Sequence, residues 1–198
     1  TTENVVVTSG GQTAFFYLFN LLAGEHADGR RKKILLPLVP EYVGYANQGF
    51  DPDTFCAMRP KIQQLDETTF KYHVDFDALN VDGNTSAICV SRPTNPTGNV
   101  LTDEEIGHLR QLADDQQIPL IVDNAYGPPF PNVVFGDATP PWGDNVVLTY
   151  SLSKLGLPGT RTGIVIGSPQ ITNAISSINA IAGLANSNLG QVLVTPML

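Results

Sequence analysis

The chain has 198 residues, 42% of them hydrophobic, enough to bury the core of one substantial domain. Its formal net charge is -8 and no basic run is longer than Arg30-Arg31-Lys32-Lys33, which argues against a nucleic-acid partner. No stretch of about 18 apolar residues offers a membrane span, and the first residues lack the charged-then-apolar order of a signal peptide; the expected setting is cytoplasmic.

In chain order, residues 4–8 predict a strand and 12–23 a helix. Strands are then expected at 34–37 and 86–91, a helix at 103–116, and strands at 120–123, 146–151 and 163–167. Several of the strands are nearly continuous in Val, Ile and Leu, as in strands covered on both faces. The second helix opens Thr102-Asp103-Glu104-Glu105, the pattern in which Thr102 caps and Glu105 reaches back. Residues 28–31, 51–53 and 136–142 carry the Gly, Pro and Asp content of surface loops. Alternation of this kind predicts an α/β fold, a mostly parallel sheet covered by helices in three α/β/α layers, with ligands at the carboxyl ends of the strands. Cys56 and Cys89 stand apart, without CxxC spacing or a neighbouring His pair, so neither a metal site nor a disulfide is expected and both are read as buried small hydrophobes.

The segments that follow these strands hold the residues able to do chemistry. Thr8-Ser9-Gly10-Gly11-Gln12 is a small-residue turn entering a helix, whose amides can face an anion; it is equally a plain connection. Asp123 ends an apolar run, where desolvation penalises a carboxylate unless a cation or donor meets it; the alternative is a cap or a solvent-facing strand end. In Ser91-Arg92-Pro93-Thr94-Asn95-Pro96-Thr97-Gly98, two prolines flanking Asn95 can aim its amide into the same crevice. The stretch from Ser151 to Arg161 sets hydroxyls, an amine and a guanidinium among small and apolar residues. There Lys154 could be desolvated into a nucleophile towards an aldehyde, while Ser151, Ser153 and Arg161 suit phosphate oxygens; a surface loop lysine is the plain alternative.

Asn95-Pro96-Thr97-Gly98, Asp123-Asn124-Ala125-Tyr126 and Ser151-Leu152-Ser153-Lys154 with Arg161 resemble the motifs of fold-type I aminotransferases, which depend on pyridoxal 5′-phosphate (PLP). They stand in the family's order, with steps of 28 and 31 residues between Asn95, Asp123 and Lys154. QTAFFYLFNLL from Gln12, PEYVGY from Pro40, CVSRPTNPTGNV from Cys89, DNAYGPPFP from Asp123 and SLSKLGLPG from Ser151 resemble, within that family, the valine–pyruvate aminotransferases.

The resemblance implies that Lys154 holds the cofactor as a Schiff base and shuttles a proton, that Asp123 pairs with the pyridine nitrogen, and that Asn95 and Tyr126 donate to the phenolic oxygen. It implies further that Gly10, Gly11, Gln12, Ser151, Ser153 and Arg161 hold the phosphate, and that Tyr42, or its neighbour Tyr45, stacks on the ring. It implies small amino-acid and 2-oxo-acid substrates, here L-valine and pyruvate, and a homodimer for the full-length protein. Two departures stand out. Arg161 follows Lys154 by seven steps, one fewer than in the commonest members. The arginine that binds the substrate carboxylate comes, in the family, from a C-terminal small domain, and an N-terminal segment closes the site. Residues 1–198 contain neither, so they are expected to be an incomplete PLP-binding large domain. Arg92 has no counterpart role and is expected to be structural or on the surface. The same three motifs also occur in PLP enzymes with other outcomes, such as C–S lyases, and in aminotransferase-like PLP-sensing regulators, which carry a basic winged-helix domain ahead of this region.

Overall fold

A computed structural model describes residues 1–134 and 136–197. Strand β1 (Val5–Thr8) leads into helix α1 (Gly11–Leu22), followed by short β2 (Gly24–Glu25), β3 (Arg31–Leu36) and β4 (Phe55–Ala57). A hairpin of β5 (Lys61–Gln64) and β6 (Phe70–His73) precedes β7 (Thr85–Ser91), α2 (Asp103–Asp115), β8 (Leu120–Asp123) and β9 (Val146–Ser151). The described chain ends with β10 (Gly163–Ile166), α3 (Pro169–Ala182) and α4 (Leu189–Val194). The main sheet runs in the order β1-β10-β9-β8-β7-β3-β2, with β4 sharing the outer edge of β3. Strands β3, β4, β7, β8 and β9 are parallel, and β10 is antiparallel to both β9 and β1.

The period of two sorts the strand side chains into two cores. Leu35, Ile88, Val90, Leu120, Val122, Val146 and Leu148 face α2, where Ile106, Leu109 and Ala113 meet them. Ile34, Leu36, Ala87, Cys89, Ile121, Val147 and Val165 face the other way, onto α1 and Ile175 of α3. These are the two helical layers that continuous apolar strands require, and the expected three-layer α/β/α arrangement is present. The cysteines divide. Cys89 lies in the second core, but Cys56 is exposed, against expectation, because it points to the face of the edge strand β4 opposite Phe55, the residue that packs on Phe19.

The reversal of β10 matters for the site. It sets Gly163, the first residue of β10, opposite Ser151 at the end of β9 and opposite Thr8 at the end of β1. One hairpin therefore returns the segment around Lys154 and Arg161 to the edge where the parallel strands end. Ser91, Asp123 and Thr149 reach that edge too, and by alternation they share the α1 side of the sheet with Cys89, Ile121 and Val147.

Helix α2 starts on the capping box read from the sequence: Thr102 Oγ1 accepts from Glu105 N at 3.1 Å and Glu105 accepts from Thr102 N at 2.8 Å. Its first residue is tied to the loop before it by Arg92, which is only 2% exposed. That guanidinium donates to the carbonyls of Leu101 (2.7 Å) and Thr139 (2.8 Å) and pairs with the Asp103 carboxylate, so Arg92 is structural, as expected. Arg92→Ala would leave the carbonyl of the buried Leu101 without its donor and remove the tie to Asp103 and Thr139. Denaturant titration should show a loss of about 2–3 kcal/mol of unfolding free energy, since an unsatisfied buried acceptor costs about 1–3 kcal/mol.

Candidate active site

At the carboxyl edge, on the α1 side, lies a cavity of about 220 Å³. Ten of the eleven residues singled out from the sequence line it: Gly11, Gln12, Tyr42, Asn95, Asp123, Tyr126, Ser151, Ser153, Lys154 and Arg161. Gly10 stands just behind the wall. Phe15, Ser91, Pro93, Ala125, Thr149 and Tyr150, to which the sequence reading gave no role, line it as well.

One pole of the cavity is a carboxyl. Asp123, the last residue of β8, is 8% exposed; its Oδ2 accepts from the Tyr45 hydroxyl at 2.8 Å and its Oδ1 from Ala125 N at 3.0 Å. Burial pushes its carboxyl above the usual range, and the Tyr45 and Ala125 hydrogen bonds pull the other way by favouring the ionised form. No lysine, arginine or histidine pairs with it among the described residues, so the partner expected from the sequence is a set of donors rather than a cation. Its register neighbour Thr149 is 1% exposed, and the Thr149 hydroxyl has no hydrogen-bond partner among the described residues. A buried, unmet hydroxyl beside a buried carboxyl, both facing a cavity, is a place where a ligand's polar edge fits.

The opposite pole is built for an anion. Gly10 has φ +98°, closed to most side chains, and turns the chain tightly from β1 into α1, with Gly10 N donating to Thr8 O at 2.8 Å. A Cβ there would collide with the Arg161 guanidinium, so Gly10 is the seat on which that side chain lies. The first amides of α1 have no helical acceptor and open towards this end. Ser151 packs beside Gly11 and accepts from Ser153 N at 3.2 Å, and Arg161, at φ 49°, lines the same wall. The seven-step spacing does not keep Arg161 out.

Lys154 lies in the turn after β9, with Nζ 5.2 Å from the centre of the Tyr126 ring. The sequence led to the expectation of a desolvated amine; Lys154 is instead exposed, because it sits at the cavity mouth where the described chain puts no wall above it. Asn95 is half-buried on the loop after β7, which Thr94 fastens to the strand end by donating to Ser91 O at 2.9 Å. The two tyrosines of PEYVGY separate: Tyr42 is in the cavity wall, whereas Tyr45 is 1% exposed behind Asp123, edge-on to Tyr42 at 5.4 Å. Gly44 permits this, since any Cβ there would collide with the Tyr42 ring.

The family Aminotransferase class I and II matches residues 55–198, and the chain belongs to it. Over 196 residues the chain is 54% identical to the valine–pyruvate aminotransferase of Escherichia coli K12, covering 99% of this chain and 47% of that protein. The structure of valine–pyruvate aminotransferase AvtA from Salmonella typhimurium LT2 superposes with a TM-score of 0.87 at 52% identity, over 95% of this chain and 46% of that one. That of a putative amino-acid aminotransferase from Psychrobacter arcticum 273-4 gives 0.96 at 48% identity, over 100% and 48%. A regulator of the helix-turn-helix type from Staphylococcus aureus, NorG, is 26% identical over 203 residues. The chain spans about half the length of the relatives it matches.

The Tyr45 hydroxyl is the donor that makes a charged Asp123 tolerable. Tyr45→Phe is therefore expected to cost about 1.5–3 kcal/mol of unfolding free energy near neutral pH, the worth of a buried hydrogen bond to a charged group. The raised Asp123 carboxyl contributes stability that is present at acid pH and lost as pH climbs past the usual carboxylate range. Removing Tyr45's donor should steepen that loss in thermal melts taken across pH.

Proposed function

We propose that this chain is the PLP-binding large domain of a transaminase that moves an amino group between L-valine and pyruvate, giving 3-methyl-2-oxobutanoate and L-alanine. The observation that carries the proposal is the polarity of the cavity at the carboxyl edge. A buried carboxyl and an unmet hydroxyl occupy one pole, the Gly10-Gly11 turn with Arg161 occupies the other, and the Lys154 amine stands at the mouth. A flat pyridine with a ring nitrogen at one end and a phosphate at the other suits that arrangement. When bound, PLP supplies an aldehyde and an electron-accepting ring.

The chain's own residues then have separate tasks. Asp123 would hold a proton on the ring nitrogen, its ionised form already supported by Tyr45 and Ala125. Asn95 and Tyr126 would donate to the phenolic oxygen, and Tyr42 would press on the ring face. Gly11, Gln12, Ser151, Ser153 and Arg161 would hold the phosphate, with Gly10 making room for Arg161. Lys154 would hold the cofactor covalently through its amine and, with an amino acid in its place, move the proton at the substrate Cα.

Identity of 54% to the Escherichia coli enzyme supports the choice of L-valine and pyruvate over other amino-acid pairs, and exceeds the 26% to the regulator. A cytoplasmic homodimer belongs to the same proposal. No helix among the described residues is long and apolar enough to cross a membrane, and Val43, next to Tyr42 in the chain, and Phe50, packed on Phe16, are 78% and 80% exposed and offer apolar surface for a partner.

In the full-length protein loaded with PLP, L-valine and L-alanine should each convert the cofactor to its amine form in single half-reactions, followed by absorbance. Activity with neither removes the substrate assignment and leaves the cofactor assignment standing. Lys154→Ala should lower turnover by about 10²–10⁴-fold, the scale of a lost acid–base group. Asp123→Ala should lower it by about 10²–10³-fold while the protein still forms a covalent adduct with PLP through Lys154.

A further inference from the structure

Glu41 is the buried charged group that the proposed chemistry leaves without a task. It follows Pro40 and is 8% exposed. Its Oε1 accepts from Ser91 N at 3.0 Å, and its Oε2 accepts from Tyr42 N at 3.2 Å and meets the Ser91 hydroxyl. Ser91 ends β7 and is the register partner of Asp123 on β8, while Arg92 N, one residue on, donates to Asp123 O at 2.9 Å. One carboxyl thus grips both the backbone that carries the Tyr42 ring and the strand end from which the Asn95 loop departs.

The groups that face Glu41 are acids. Asp123, Tyr45 and the Cys89 thiol are its titratable neighbours, and among the described residues no lysine, arginine or histidine forms an ion pair with it. Two buried carboxyls so close to each other resist holding two charges. Asp123 is the one that opens onto the cavity, where a cationic ring edge would meet it; Glu41 faces only donors and other acids.

We propose that Glu41 is a positioning residue: as a neutral acid bridging Ser91 and Tyr42, it fixes the ring-contacting wall of the cavity and leaves Asp123 as the single carboxylate charge there. This rests on the PLP assignment above. Burial, opposed by the Ser91 and Tyr42 hydrogen bonds, pushes the Glu41 carboxyl from 4.5 to about 7, in keeping with the geometry. The sign follows from the raised value: the stability Glu41 contributes is fully present below about 4.5 and is lost as pH rises through about 7.

The test compares Glu41→Gln and Glu41→Ala in the full-length protein, reading PLP dissociation and the pH dependence of thermal stability with and without PLP. A neutral clamp predicts that the amide, which stays neutral and keeps one of the two acceptors, binds PLP within about threefold of wild type and flattens the fall in melting temperature between about pH 4.5 and 7. It predicts that alanine weakens PLP binding about tenfold or more. Binding by the alanine variant equal to wild type overturns the proposal, as does a glutamine variant as weak as alanine, since a neutral side chain would then not hold the wall. If alanine prevents folding, the glutamine variant decides alone: an unflattened pH profile overturns the proposal. Failure of the wild-type protein to take up PLP would instead strike the assignment on which this inference rests.

Discussion

A carboxyl at the dry end of a central strand is the constraint around which this domain is arranged. Asp123 is placed there by β8, whose Leu120, Ile121 and Val122 are wholly buried between two helical layers, and it cannot be moved towards water without moving the sheet. Such a group is tolerated only where donors converge on it. The tyrosine behind it and the amide of Ala125 are the local answer. The remaining demand, for a positive partner, is directed into the cavity.

The other features follow from where that cavity must be. Parallel strands β7, β8 and β9 deliver Ser91, Asp123 and Ser151 to one edge, and the reversed β10 brings the chain back so that Arg161 meets the β1–α1 turn. The result is a short cavity with a carboxyl at one end and a guanidinium with helix-end amides at the other, which can orient an asymmetric ligand. The lysine at its mouth is the exposed member of the set. On the proposed function, the domain by itself would fix where a cofactor ring lies more firmly than it would shield the Lys154 amine.

Most of this was legible in the sequence because the deciding residues are tied to strand ends. Apolar runs located β7, β8 and β9, their ends located Asp123 and Ser151, and the capping box located α2. What was not legible lies in elements whose burial is one-sided or slight. The β5–β6 hairpin has an almost fully exposed first strand, so Lys-Ile-Gln-Gln shows no alternation against a core. Helix α3 was passed over because its polar and β-branched content hides a sparse stripe, Ile171, Ile175 and Ile178, that does carry helical spacing. Thr149 and Glu41 were missed for another reason. A threonine inside a strand and a glutamate after a proline are ordinary in sequence, and only the register across from Asp123 and the fold-back of residue 41 onto Ser91 give them meaning. Lys154 was the reverse case: it lines the cavity, but it was expected in a drier setting than the described chain provides.

The central claim is that one amine and one buried carboxyl serve a single bound pyridine aldehyde. Its most direct test is to incubate the full-length protein with PLP, reduce with borohydride, digest, and map the modified peptide by mass. The account predicts one reduced adduct, on the peptide that contains Lys154. Modification spread over surface lysines, or a peptide around Lys154 left unlabelled while another is labelled, would contradict it.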